Sequence, residues 1–373
     1  MSRAVPWSEK STVIRPEVAA APPYNAGMTI DEATRRYGLT KIAKLASGEN
    51  PFGASPRIAA ALAKLDLSIY PDPAGLKLRQ AIADTLDVAA GKVILGNGSE
   101  DLIEIVCRAV LRSGDDMVTL YPSFPLHEIY AGICGARTVR VPIRDDFSID
   151  EQALLDAVAR RPRMLMFANP MNPVGSFLDR AGFDRLCQAL HPSTVLVIDE
   201  AYIEYADPDR FPDALAMLRD LDNPFIVLRT FSKAYGLAGL RLGYGITSDS
   251  EFTEVLDRVR TPFNVNSVAQ TSGLVALEDR AHMERSIRHN AVERERVAAA
   301  LQAAGGRVAP SQGNFLFFSF GSPSTDLAED LLAHGVIVKP WLQPGYTDFC
   351  RMTIGSREAN DQFLQAVHAI LAA

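Results

Sequence analysis

Four short segments carry residue types that could do chemistry together. Arg229-Thr230-Phe231-Ser232-Lys233-Ala234-Tyr235-Gly236, followed by Gly239-Leu240-Arg241-Leu242-Gly243, puts two hydroxyls, a lysine and an arginine into one glycine-rich loop. A lysine is usually a surface charge, but apolar surroundings would desolvate it, lower its pKa and expose a nucleophilic amine. Asp199-Glu200-Ala201-Tyr202 begins where the apolar run VLVI ends. A carboxylate at such an edge needs a donor or a cation, either to cap a loop or to keep a ligand nitrogen protonated. Asn169-Pro170-Met171-Asn172-Pro173-Val174-Gly175 follows the run MLMFA and holds two side-chain amides in a proline-fixed loop. LGNGSED, residues 95–101, turns on two glycines into a helix starting near Ser99, and the free N–H groups there can hold an anion. Taken singly, each segment also reads as an ordinary turn, cap or surface charge.

The elements around these segments place them at strand ends. VILG (93–96), MVTL (117–120), TVRV (138–141), MLMFA (164–168), VLVID (195–199) and FIVLR (225–229) are apolar without alternation, as strands covered on both faces are. Helical stretches such as SEDLIEIVCRAVLRSG, DEQALLDAVARR and LDRAGFDRLCQAL lie between them, which predicts a parallel α/β sheet. In such sheets ligands bind beyond the carboxyl ends of the strands, where all four segments lie. After about residue 250 a long helix, NFLFFSF, VIVKP, FCRMTIG and a last helix predict a smaller α+β unit. The expected division is an arm over 1–40, a large domain over 71–250, and a small domain built from 41–70 and 251–373.

Composition narrows the functional classes. The chain has 373 residues, 47% hydrophobic and 22% charged, which is enough for two domains and a core without staples. A formal net charge of −7 offers no general field for nucleic acid. Four scattered cysteines, none in C-x-x-C, argue against a disulfide framework or a thiolate metal site. His282 and His289, seven apart on a charged helix, fit a solvated face better than a metal pair. GLAGLRLG lacks the dinucleotide spacing. No apolar stretch is long enough to span a membrane, and the N-terminus shows no signal-peptide core, so the expectation is a cytoplasmic protein that binds neither membrane nor nucleic acid.

In order and spacing the segments N-P-x-N-P-x-G, D-E-A-Y and T-x-S-K with an arginine eight residues after the lysine resemble the class I/II pyridoxal-phosphate-dependent aminotransferases, and among them the histidinol-phosphate aminotransferase branch. The resemblance covers about residues 20 to 370. It implies fold type I, with a large, mostly parallel seven-stranded sheet domain and a smaller α+β domain, and pyridoxal 5'-phosphate as cofactor. It implies that Lys233 is the imine lysine and proton shuttle, that Asp199 pairs with the pyridine nitrogen, and that Asn172 and Tyr202 bond the ring oxygen. Phe124 would stack on the ring, where tyrosine is frequent. The phosphate would lie among Arg241, Ser232, Thr230 and the backbone of Gly98, Ser99 and Glu100. Tyr70 would reach the neighbouring subunit's cofactor, implying a homodimer with shared sites.

For the substrate, the resemblance points to Arg351, with Asn314 and Tyr24 nearby. Gly48 stands in Gly48-Glu49-Asn50-Pro51 where the family commonly has asparagine, and Arg35 and Arg36 are arm arginines without an assigned role. The implied reaction joins a small-molecule amino donor and a 2-oxo acid acceptor: L-histidinol phosphate and 2-oxoglutarate give imidazole-acetol phosphate and L-glutamate. An aromatic amino-acid aminotransferase and a phosphothreonine-type decarboxylase are alternatives on the same site. A DNA-binding regulator is disfavoured because only about 40 residues precede the resembling region.

Overall fold

A computed structural model describes residues 13–39 and 41–372, so the expected arm lies partly outside the described residues. The strands are β1 (Ala43–Lys44), β2 (Val93–Gly96), β3 (Asp116–Tyr121), β4 (Arg137–Pro142), β5 (Met164–Ala168), β6 (Val195–Asp199), β7 (Phe225–Thr230), β8 (Gly243–Thr247), β9 (Arg307–Val308), β10 (Phe315–Ser319), β11 (Val336–Ile337), β12 (Lys339–Pro340) and β13 (Phe349–Thr353). β2 to β8 form one seven-stranded sheet in the order β2-β8-β7-β6-β5-β3-β4. Only β8 runs against its neighbours, so the sheet is mostly parallel, as the resemblance implied. Six of these strands are legible as apolar runs. The seventh, Gly-Tyr-Gly-Ile-Thr, is not, because its glycines dilute the apolar pattern.

The absence of polar alternation has a direct cause. Strand side chains point alternately to opposite faces. Val118, Leu120, Leu165, Phe167, Leu196, Ile198 and Val227 enter the core on one face. Met117, Met164, Met166, Val195, Val197, Ile226 and Leu228 enter the core on the other. Helices cover both, and several start on side-chain caps that satisfy free N–H groups: Asp150 accepts from Ala153 and Asp179 from Gly182.

β12, β13, β10 and β9 form a four-stranded sheet, and β1 pairs with β11 beside it. β10 divides its residues between two cores. Leu316 and Phe318 pack within the small sheet's cluster with Val297, Leu331 and Phe363. Phe317 belongs instead to the large sheet's core, with Trp341 and Phe349. Phe317 and Phe349 stack at 4.6 Å between ring centroids. Full burial of one such side chain contributes roughly 1.5–3 kcal/mol, so this seam fixes the small sheet against the large one. Ile58, Val265, Ala269 and Ala276 pack with Leu78 and Ile82 beside β2 and β8. No described helix is long and apolar enough to cross a membrane.

Candidate active site

β5, β6 and β7 are adjacent and parallel, so their carboxyl ends lie side by side; Ala168 is level with Asp199, and Asp199 with Leu228. The Asn-Pro loop leaves β5, Asp199 is the last residue of β6, and the Thr230–Lys233 turn leaves β7. The Asn172 loop, Asp199 and Lys233 therefore meet along one line at the strand ends.

The Lys233 amine donates to the Ser47 carbonyl at 2.8 Å. Burial, reinforced by the charge of Arg351, pushes its pKa down to about 8, the direction expected for a lysine desolvated in this loop. Gly48 lies against it: its φ is +72°, and a Cβ there would sit 2.8 Å from Lys233 Nζ. Asp199 is buried and takes two donors, the Ala201 N–H at 3.1 Å and His127 Nε2 at 3.2 Å from its other oxygen. Tyr202 is buried edge-on to Phe315, with Lys233 Nζ 5.5 Å from its ring centroid, and burial holds its hydroxyl above the usual range.

An anion cup lies nearby. Gly98, at φ +86°, precedes the helix Ser99–Val110, which has no side-chain N-cap, so its first N–H groups remain available. A Cβ on Gly98 would fall 2.5 Å from Arg241 Nη2, and one on Gly243 would overlap the Ser99 backbone, so glycine at both positions lets arginine and helix start converge. Arg241 Nη1 donates to the Ala238 carbonyl, and Nη2 lies 3.7 Å from the Glu100 carboxylate. Thr230 Oγ1 accepts from the Ser232 N–H and donates to Ser232 Oγ at 3.0 Å.

The substrate side comes from other elements. Arg351 on β13 is buried, donating from Nη1 to Asn172 Oδ1 at 2.6 Å and from Nη2 to the Ala46 carbonyl at 2.7 Å. Asn172 therefore couples Arg351 to the strand-end line and keeps its amide N–H groups for a ring oxygen. Asn314 donates to the Gly48 carbonyl at 3.1 Å. Tyr24 of the arm meets Phe124 edge to face at 6.3 Å, and the two line a cavity of about 290 Å³ with Arg351, Lys339 and Trp341.

Thus all but one of the sequence-derived residues are brought together. Tyr70 is not: it is 80% exposed and stacked on Phe263 at 4.8 Å, away from its own chain's Lys233. Arg36 pairs with Glu329, while His282 and His289 bond the carbonyls of Gly53 and Gly355. Two residues escaped the sequence reading. His127 carries its signal three residues after Phe124, one helical turn along. Lys339 is level with Arg351 on the neighbouring strand, a pairing that only sheet register reveals. Among the described residues no carboxylate forms an ion pair with either Lys339 or Arg351.

Sheet order, small domain and the lysine–carboxylate line define a fold-type-I pyridoxal-phosphate enzyme architecture. The chain belongs to the class I and II aminotransferase family, whose model matches residues 40–367. It is 50% identical over 366 residues to histidinol-phosphate aminotransferase 1 of Mesorhizobium japonicum, covering 98% of this chain and 100% of the relative. It is 49% identical to histidinol-phosphate aminotransferase 3 of Rhizobium meliloti, covering 96% of this chain and 98% of that one. A crystal structure of histidinol-phosphate aminotransferase from Sinorhizobium meliloti in complex with pyridoxal-5'-phosphate superposes with a TM-score of 0.87 at 29% identity, covering 96% of this chain and 97% of that one.

Proposed function

We propose that this aminotransferase exchanges the amino group between L-histidinol phosphate and 2-oxoglutarate, giving imidazole-acetol phosphate and L-glutamate, with pyridoxal 5'-phosphate as cofactor. The observation that carries the substrate reading is the pair of cations Arg351 and Lys339, side by side on β13 and β12, in a cavity also lined by Phe124 and Trp341. Like charges directly across a sheet are unfavourable, so the pair is stabilised by an anionic guest. A phosphate monoester bearing a flat ring suits two cations and aromatic walls, and a dicarboxylate suits the same cations in the other half-reaction. The names of the relatives support this substrate.

The residues present fit the cofactor. Among the described residues the buried Asn314 Oδ1 and Arg351 Nε have no hydrogen-bond partner. Glycine 48 leaves room beside the Lys233 amine, and glycine 98 leaves room beside Arg241. Lys233 would hold the aldehyde carbon; Asp199 would accept from the ring nitrogen; Asn172 and Tyr202 would donate to the ring oxygen; Phe124 would cover the ring. Arg241, Ser232, Thr230 and the N–H groups at Gly98, Ser99 and Glu100 would hold the phosphate. When bound, pyridoxal phosphate supplies an electron sink for the carbon that loses its proton.

The chain's own groups do the rest. Lys233 Nζ, its pKa lowered by burial, removes the proton from the substrate carbon that bears nitrogen. Asp199, oriented by His127 and the Ala201 N–H, presents a fixed carboxylate where positive charge must be kept. Arg351 and Lys339 fix the anionic end, so that the carbon faces Lys233.

We also read the functional unit as a cytoplasmic homodimer. Leu67, Ile69, Tyr70 and Leu76 are each more than 60% exposed on one segment, an apolar surface that a second copy would cover while Tyr70 reaches its site. The deciding experiment mixes the pyridoxal form separately with histidinol phosphate, phenylalanine, tyrosine and glutamate, and follows conversion to the pyridoxamine form spectroscopically. Histidinol phosphate and glutamate should convert it fastest; a preference for phenylalanine would overturn the substrate assignment, and carbon dioxide release would indicate decarboxylation.

A further inference from the structure

The arm is anchored further along by Ala33 in a buried cluster and by Arg36 on Glu329, and its residues 22–25 line the same cavity as Arg351. Asn25 Oδ1 accepts from the Gly27 N–H at 2.9 Å, closing a short turn. Gly27 has φ +83°, and even a Cβ there would lie 3.8 Å from Lys339 Nζ, so the turn sits directly on the lysine. The Lys339 ammonium donates to the Asn25 carbonyl and lies 5.9 Å from the Tyr24 ring centroid. Pro22 and Pro23 have no N–H to give, so this stretch cannot anchor itself through a backbone ladder on that side. Tyr24 and Lys339 both line the cavity that holds Arg351.

We propose that Lys339 is a positioning residue that latches the arm, through Asn25 and Tyr24, over the substrate cavity, and that an anion in the cavity tightens the latch. An ammonium has three N–H donors. One serves the Asn25 carbonyl, leaving others for a guest beside Arg351, so arm and guest are held by the same group rather than competing for it. Burial and the neighbouring Arg351 charge push the Lys339 pKa down to about 8. An anion would offset both effects and favour the charged donor. The guest's identity rests on the function proposed above; the contact between Lys339 and the arm does not.

Hydrogen–deuterium exchange of the amides at residues 24–27 in the holoenzyme tests this. Loss of one such hydrogen bond changes an opening equilibrium about five-fold. Lys339→Met should therefore speed exchange there about five-fold, and Lys339→Arg should restore protection. Asn25→Ala keeps the main-chain carbonyl that accepts from Lys339 and removes only the bond from the Gly27 N–H, so it should speed exchange at Gly27 and add to the effect of Lys339→Met. Inorganic phosphate should slow exchange in the parent and in Lys339→Arg but not in Lys339→Met. Equal exchange in the parent and Lys339→Met, or equal slowing by phosphate in both, would overturn the proposal. Failure of histidinol phosphate as donor, with the exchange pattern as expected, would overturn only the substrate assignment.

Discussion

Gly48, buried against the Lys233 amine, stands where the resembled family commonly has asparagine. Its φ of +72° is a region that costs an L-residue roughly 1–2 kcal/mol. In Gly48→Ala the new Cβ would also start 2.8 Å from Lys233 Nζ and 3.5 Å from Asn314 Oδ1. The lysine is the flexible partner and would yield, losing its bond to the Ser47 carbonyl for about 1 kcal/mol more. The sum is about 2–3 kcal/mol, or about 3–4 °C in Tm at roughly 1.3 °C per kcal/mol for a chain of this size. Gly48→Asn should cost about 1 kcal/mol less than Gly48→Ala, since asparagine adopts this backbone more readily. Differential scanning calorimetry reads the stability, and the rate at which the apo chain captures pyridoxal phosphate reads the lysine. Placing Gly48→Ala in a Lys233→Ala background should recover the lysine share, about 1 kcal/mol, leaving backbone strain alone. If Gly48→Ala melts with the parent and captures cofactor at the parent rate, the close approach between residues 48 and 233 is refuted.

Further outcomes follow from other groups. Lys233→Ala should lose the cofactor's imine absorbance together with all transamination; retention of either refutes its assignment. Cofactor capture by the apo chain should rise with pH and level off above about 8, because the neutral amine is the nucleophile and its pKa is pushed down to about 8; a rise continuing to pH 10 contradicts the burial argument. His127→Phe removes one of two donors from the buried Asp199 carboxylate and should cost about 1–3 kcal/mol in cofactor affinity, read by equilibrium titration. Burial pushes the Glu204 carboxyl up from 4.5 to about 7, against the partial opposition of Arg229. The folded chain then binds that proton more tightly than the unfolded one, and stability falls as pH rises from about 4.5 to 7. Glu204→Gln should remove this decline and exceed the parent by about 3 kcal/mol at pH 8 in denaturant melts.

The parts legible in sequence and the parts hidden from it differ for physical reasons. A strand covered on both faces must be apolar throughout, so the inner strands declare themselves, while the edge strand β4, with Arg137 and Arg140 exposed, is legible only through Val139 and Val141. β8 does not, because Gly243 must admit the Ser99 backbone and Gly245 must pass the Ile226 side chain. Lys233, Asp199 and Asn172 could be read because each sits within a few residues of an apolar run whose end marks the site. Lys339 could not, since its neighbour Arg351 lies across a strand pair, and His127 offered only its spacing from Phe124, its partner Asp199 being 72 residues away. Tyr70 shows the converse limit: its role was read from resemblance, and within one chain it is 80% exposed and stacked on Phe263.

The adjacency of β5, β6 and β7 has a consequence for how such an enzyme can change its diet. Neighbouring strands are held about 4.8 Å apart by their backbone ladder, a spacing that no side-chain substitution alters. Lys233, Asp199 and the Asn172 loop are thus mounted on a ruler made of peptide bonds. Arg351, Lys339 and Tyr24, which line the neighbouring cavity, hang from the small sheet and the arm instead. Evolution can rewrite the second group residue by residue while the first keeps its calibration, which lets one scaffold explore many amine donors without relearning the proton transfer.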